Sequence, residues 1–144
     1  MTINEIQDHI IEEFSLIEDW MDRYNYLIEL GSELPEVDLK IKTDEYLIKG
    51  CQSKVWLDAE YKNGIMTFSA ESDAIIVRGI VALLIKVLNN QKASEIMNVN
   101  LYFIDKIGLK DNLSPTRSNG LLSMVKKMKL YSLAYYTKHE GTQA

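Results

Sequence analysis

Cysteine occurs once in this 144-residue chain, at Cys51, and histidine and proline occur twice each. A lone cysteine excludes an internal disulfide framework and a multi-cysteine zinc site. The histidines, His9 and His139, sit near opposite ends and belong to no cluster with metal-ligand spacing, so no metal or cofactor is expected. Long apolar runs are also missing. The longest, Ile80 to Ile85, falls far short of the ~20 residues that span a bilayer. Basic blocks are scarce as well: Lys126, Lys127 and Lys129 come nearest, and they read as a solvated helix face. With a net charge of −5, the chain lacks the clustered cations that nucleic-acid binding needs. The opening stretch carries Glu5, Asp8, Glu12 and Glu13 and no Lys or Arg, unlike a signal peptide. Together these absences predict a cytoplasmic protein that binds neither membrane nor nucleic acid.

What is present suits a packed core. Apolar residues make up 47% of the chain, and its length fits one domain over 1–144, with a frayed tail from 139. Thr2 and Glu5 have capping-box spacing ahead of an apolar stripe at Ile3, Ile6, Ile10 and Phe14. A second helix is predicted over Ile17 to Leu30, with Trp20, Tyr24, Leu27 and Leu30 inward and Gly31 ending it in the left-handed conformation. The two helices are expected to pack as a hairpin. Ser32 to Lys49 reads as a long surface connection with a short edge strand at Tyr46 to Ile48. Val55, Leu57, Ala59 and Tyr61 then alternate with polar neighbours. After Asn63-Gly64, Met66, Phe68 and Ala70 do the same, which predicts an antiparallel hairpin on a type I′ turn. Ser72 and Asp73 are expected to open the most apolar helix, which runs to Leu88 and is closed by Asn89-Asn90. Short helices follow near 92–97 and 101–107. A long last helix starts at Ser114-Pro115, the cap and the first helical position.

Cys51 stands in Gly50-Cys51-Gln52-Ser53, at the end of the polar connection and just before the hairpin. A free cysteine is often a small buried hydrophobe. Here its neighbours are small or polar, Gly50 leaves the approach open, and a rigid strand follows. A thiolate is a strong nucleophile at modest pKa. It can accept a sulfane sulfur from another protein's persulfide, and no second thiol in the chain can collapse the product. A papain-like hydrolase would need a histidine beside the thiol with an orienting group behind it; His9 and His139 both fall near the chain ends, and no such arrangement is evident. Arg117, in the first turn of the last helix, is either a solvated or salt-bridged cation, or one that favours charged Cys51 or binds a carboxylate near it. Two other classes stay open: a non-catalytic adaptor with Cys51 in its core, and a cluster-assembling scaffold, which one cysteine disfavours.

The segment Gly50-Cys51-Gln52-Ser53-Lys54-Val55-Trp56 resembles the active segment of the SufE family of sulfur-acceptor proteins. The likeness continues in Tyr26-Leu27-Ile28-Glu29-Leu30-Gly31 with Leu34-Pro35, in Ser72 to Gly79, and in Leu113-Ser114-Pro115-Thr116-Arg117-Ser118-Asn119-Gly120-Leu121. These blocks keep the family's order and spacing from about Phe14 to Tyr131. The resemblance implies an α+β fold like that of the iron–sulfur scaffold proteins, a small antiparallel sheet and hairpin against several helices. It implies that Cys51 takes sulfur from a pyridoxal-phosphate-dependent, SufS-like cysteine desulfurase, stimulates that enzyme, and passes sulfur to a SufBCD-like assembly scaffold. By motif match Cys51 is the acceptor and Arg117 the arginine of the active region. Gly50, Gln52 and Ser53 shape the cysteine loop, and Asp73 falls at a matching position near the central helix. Thr116 and Asn119 stand where relatives often have Ser and Gln. Glu36 to Tyr46 matches poorly. A persulfide needs shelter from solvent and small thiols, so an apolar pocket under the cysteine loop is expected, lined by hairpin and central-helix residues.

Overall fold

The computed structural model describes residues 1–49 and 53–140. Its elements run α1 (Ile3–Ser15), α2 (Trp20–Ser32), β1 (Val55–Lys62), β2 (Ile65–Ser72), α3 (Ile75–Leu88), β3 (Gln91–Lys92), two single-turn helices α4 (Ala93–Ile96) and α5 (Phe103–Lys106), and α6 (Pro115–His139). The strands form one antiparallel sheet in the order β1-β2-β3, covered by helices, which is the expected α+β architecture.

The hairpin follows from local chemistry. Asn63 and Gly64 both take positive φ, 53° and 85°, as a type I′ turn requires. Val55 pairs with Ser72, Leu57 with Ala70 and Ala59 with Phe68. Period-two alternation thus puts Val55, Leu57, Ala59, Met66, Phe68 and Ala70 in the core. β1 is an edge strand, and its outward carbonyls at Val55, Leu57 and Ala59 find partners outside the ladder. Ile48 N donates to Val55 O (2.9 Å), and the hydroxyls of Tyr131 and Tyr135 donate to Leu57 O and Ala59 O, each at 3.3 Å. α6 therefore closes the sheet edge with two tyrosines. The expected strand at Tyr46 to Ile48 shrinks to one bridge, Leu47 with Trp56.

α1 begins with the predicted capping box, Thr2 and Glu5 holding each other's amides. Gln7, which no apolar pattern marks, is fully buried on this helix. Its Nε2 donates to Asn100 O and its Oε1 accepts from Phe103 N, so it clips α1 to the start of α5.

Three expectations are corrected. α2 begins at Trp20 on an Asp19 cap and runs through Gly31, which is helical and buried. The reason for that glycine is space: a Cβ on Gly31 would lie 2.7 Å from Gly79 N, and one on Gly79 would lie 2.1 Å from Leu27 O. α2 and α3 thus meet backbone to backbone, and α2 packs chiefly on α3 rather than forming a hairpin with α1. Contact between α1 and α2 is made by single side chains. Tyr26 stacks edge-on against Phe14 and donates to Glu13 Oε2 at 2.7 Å; burial first, then Glu13, pushes its phenol up to about 12. Arg23 donates to the carbonyls of Phe14 and Ile107, at the C-terminal ends of α1 and α5, and to that of Ile17 in the connection between α1 and α2. Lastly, α3 starts at Ile75 with Ala74 as its cap, because Ser72 still belongs to β2 and Asp73 is committed to Lys54.

Candidate functional site

The starts of β1, α3 and α6 converge on a cavity of about 350 Å³, roughly ten water volumes. Its floor is apolar: Val55 from β1, Val77 and Ile80 from α3, and Met124 from α6. Its rim is polar: Ser53, Ser114, Thr116 and Arg117. Gly120 is buried and forms part of the wall. Against Val55 and Met124 lies an apolar void of about 10 Å³, too small to extend the cavity.

α6 delivers its N-terminus to this place for local reasons. Ser114 Oγ accepts from Arg117 N at 3.3 Å, and Pro115 fills the first helical position, where no amide is needed. The first turn carries Arg117 and no acidic residue. The positive end of a 25-residue helix and a guanidinium therefore share the rim, an environment that favours an anion.

The predicted site residues divide into three groups. Gly50, Cys51 and Gln52 lie outside the described residues. Ser53 and Arg117, far apart in sequence, are brought to one cavity. Asp73 does not line it but secures its edge. Asp73 Oδ1 accepts from Lys54 N (3.0 Å) while Asp73 N donates to Lys54 O (3.2 Å). Ser72 Oγ donates to the same Lys54 carbonyl at 2.8 Å and accepts from Ala74 N. Behind them, Arg78 Nε lies 2.9 Å from Glu71 Oε1, a charge contact rather than an aligned hydrogen bond. The segment that follows Cys51 is thus anchored at Lys54, and the one before it at Ile48, which donates to Val55 O. Asp73→Ala is expected to remove the partner of the Lys54 amide at a cost of about 1 kcal/mol. Hydrogen exchange at Lys54 N should speed up about fivefold; unchanged protection would mean the clasp is not formed in solution.

Neither histidine lines the cavity. His139 stacks on Tyr61, with centroids 4.7 Å apart, at the turn end of β1. That is about 20 Å of strand from Val55, at the far end of β1 from the cavity. Among the described residues no three His, Cys, Asp or Glu side chains gather as a metal site would require. No helix among them is long and apolar enough to cross a membrane. Sequence reasoning missed Met124 in the floor and Ser114 and Thr116 on the rim; the one signal available was Gly120, whose small size inside a helix marks a crowded or lining position.

Comparison with known proteins identifies the family and the fold. Residues 8–132 match SufE, described as an Fe-S metabolism associated domain. The chain belongs to the SufE family, and its role lies in iron–sulfur metabolism. It is 46% identical over 127 residues to an uncharacterized SufE-like protein of Rhizobium etli, covering 85% of this chain and 86% of that one. It is 34% identical over 134 residues to SufE-like protein 1, chloroplastic/mitochondrial, of Arabidopsis thaliana, covering 91% of this chain and 36% of that longer one. The solution structure of a hypothetical protein from Thermus thermophilus shares the fold, with a TM-score of 0.76 and 18% identity over 92% of this chain and 96% of that one.

Proposed function

We propose that this protein is a sulfur carrier: Cys51 accepts a sulfane sulfur from the persulfide of a SufS-like cysteine desulfurase, stimulates that enzyme by unloading it, and passes the sulfur to a SufBCD-like scaffold in the cytoplasm. The observation that carries the reading is the cavity between β1, α3 and α6, with Ser53 and Arg117 both on its rim. Covalent geometry keeps the Cα of Cys51 within about 7.6 Å of that of Ser53, which supports a thiol that works at this cavity. An apolar floor with a cationic rim suits a persulfide, whose sulfur atoms are polarizable and whose anion needs a counter-charge.

The transfer balances without an outside oxidant. The Cys51 thiolate attacks the outer sulfur of the donor persulfide and forms a new S–S bond. The donor's own S–S bond breaks, and its electron pair leaves on the donor thiolate. Charge passes between sulfurs and little is created, so alignment of the three atoms governs the rate more than charge stabilisation does.

The direct test is incubation with a cysteine desulfurase and cysteine, followed by a quench without reductant and intact-mass measurement. The chain should gain the mass of one or more sulfur atoms at Cys51. An unmodified chain beside an active desulfurase ends the proposal. Arg117 tests the electrostatic part. Because Arg117 is an exposed rim residue, Arg117→Ala should leave the fold intact and slow sulfur acceptance by about tenfold. The remaining activity should need a higher pH to saturate, since the cation that favours the thiolate is gone. Unchanged kinetics and an unchanged pH profile would remove Arg117 from the site.

A further inference from the structure

The cavity is larger than a carrier of single sulfur atoms requires. A sulfane atom is close to a water molecule in size, whereas the cavity of about 350 Å³ holds roughly ten water volumes and reaches the ~300–1,000 Å³ of small-molecule sites. It also has the make-up of such a site, an apolar floor with a few polar groups gathered at its rim. Those groups offer donors. Ser114 Oγ already accepts from Arg117 N, so its hydroxyl hydrogen is left to donate. Thr116 N stands at the second position of α6, where an amide has no acceptor within the helix. The Arg117 guanidinium has no carboxylate partner among the described residues, and no Asp or Glu among them lines the cavity. An uncompensated cation and several donors thus border an apolar chamber of ligand size.

We infer that the cavity admits a small oxyanion carrying a sulfane sulfur, of the thiosulfate kind, and that Cys51 takes sulfur from it without a protein donor; the inference rests on the sulfur-carrier reading above. The oxygens lie against Arg117, the Thr116 amide and the hydroxyls of Ser53 and Ser114. The polarizable sulfane sulfur stays on the apolar side, in line between the attacking thiolate and the leaving sulfite. In the transfer the Cys51 thiolate attacks the sulfane sulfur and a new S–S bond forms on Cys51. The S–S bond of thiosulfate breaks, and sulfite departs with its electron pair. Anion meets anion in this step, so a rim without a cation would repel the donor. A desulfurase brings its own groups to steady its leaving thiolate. Sulfite brings none, and its charge falls to Arg117 and the positive end of α6.

The test mixes the full chain, reduced and freed of small thiols, with sodium thiosulfate and no desulfurase. Intact mass after a quench without reductant reads the loading, and released sulfite is assayed beside it. Wild-type chain should gain sulfur at Cys51 and release sulfite in equal amount, and Cys51→Ser should do neither. Arg117→Ala should need about tenfold more thiosulfate to reach half the maximal loading rate, and Arg117→Lys should recover most of that loss. Sodium sulfate should slow loading more than sodium chloride at equal ionic strength, because it competes for the rim as well as screening it. Lys62→Ala, a cation lost at the hairpin end, should load as wild type does. A chain that a desulfurase loads and thiosulfate does not overturns the inference while the carrier reading stands. Equal loading of wild type and Arg117→Ala, an equal loss in Lys62→Ala, or sulfate no stronger than chloride also overturns it, because the thiol then reacts without help from the cavity. If neither donor loads the chain, the carrier reading itself fails and this inference goes with it.

Discussion

Cys51→Ser is expected to abolish sulfur loading. An alkoxide is inaccessible near neutral pH, and oxygen in place of sulfur cannot hold a sulfane atom as a persulfide. The sulfur adduct should disappear from the intact mass, and transfer to an acceptor should fall by at least about a hundredfold, to the level of free sulfide released by the desulfurase. Folding should survive, because the groups that anchor the flanking chain are elsewhere: Ile48 N on Val55 O, and the Asp73 and Ser72 contacts to Lys54. A melting temperature within a few degrees of wild type would establish that. The same variant separates the carrier from an adaptor that works only by binding. A carrier without its thiol loses desulfurase stimulation along with transfer; an adaptor keeps it. Stimulation that persists in Cys51→Ser at wild-type strength would therefore remove the thiol from the account.

How far this could be read from the sequence depended on whether the signal was local. Asn63-Gly64 between two alternating runs carries its own backbone demand, and the observed register follows it residue by residue. Ser114-Pro115 likewise states where a helix starts, and Ser114 caps α6 as expected. Long-range facts had no such code. Nothing near Tyr131 or Tyr135 says that their hydroxyls close the edge of a strand over 70 residues away. Gln7 looks like a solvent residue on α1 until Asn100 and Phe103 arrive as its partners. Arg117 and Ser53 share a cavity only because α6 docks across the starts of β1 and α3. β3, two residues long, has no periodicity to read; its pairing with β2 follows from Asn90, whose positive φ of 61° turns the chain back onto the sheet.

Gly31 shows the ambiguity most sharply, and its contact at Gly79 carries the largest stability effect expected of this fold. A glycine near the end of a periodic run can be a left-handed stop or a point of close approach, and the two look alike until the partner helix is placed. At Gly79 the competing effects have opposite signs. Alanine is the better helix former by about 1 kcal/mol, so propensity alone predicts that Gly79→Ala stabilises α3. The added Cβ, however, would sit 2.1 Å from Leu27 O and 2.6 Å from Leu27 C, well inside contact distance and against backbone that no rotamer change can relieve. α2 and α3 would have to separate, which loosens the packing of Leu27, Val77 and Ile80 along the whole interface. Overpacking of this kind costs about 3 kcal/mol net, a fall in melting temperature of about 10 °C for a chain of this size. Gly64→Ala is the useful contrast: its Cβ would meet nothing within 4 Å, and only its φ of +85° is strained, so about 1 kcal/mol is expected. Thermal unfolding of the two variants should rank them in that order. A Gly79→Ala protein as stable as wild type would mean that the two helices are not in backbone contact.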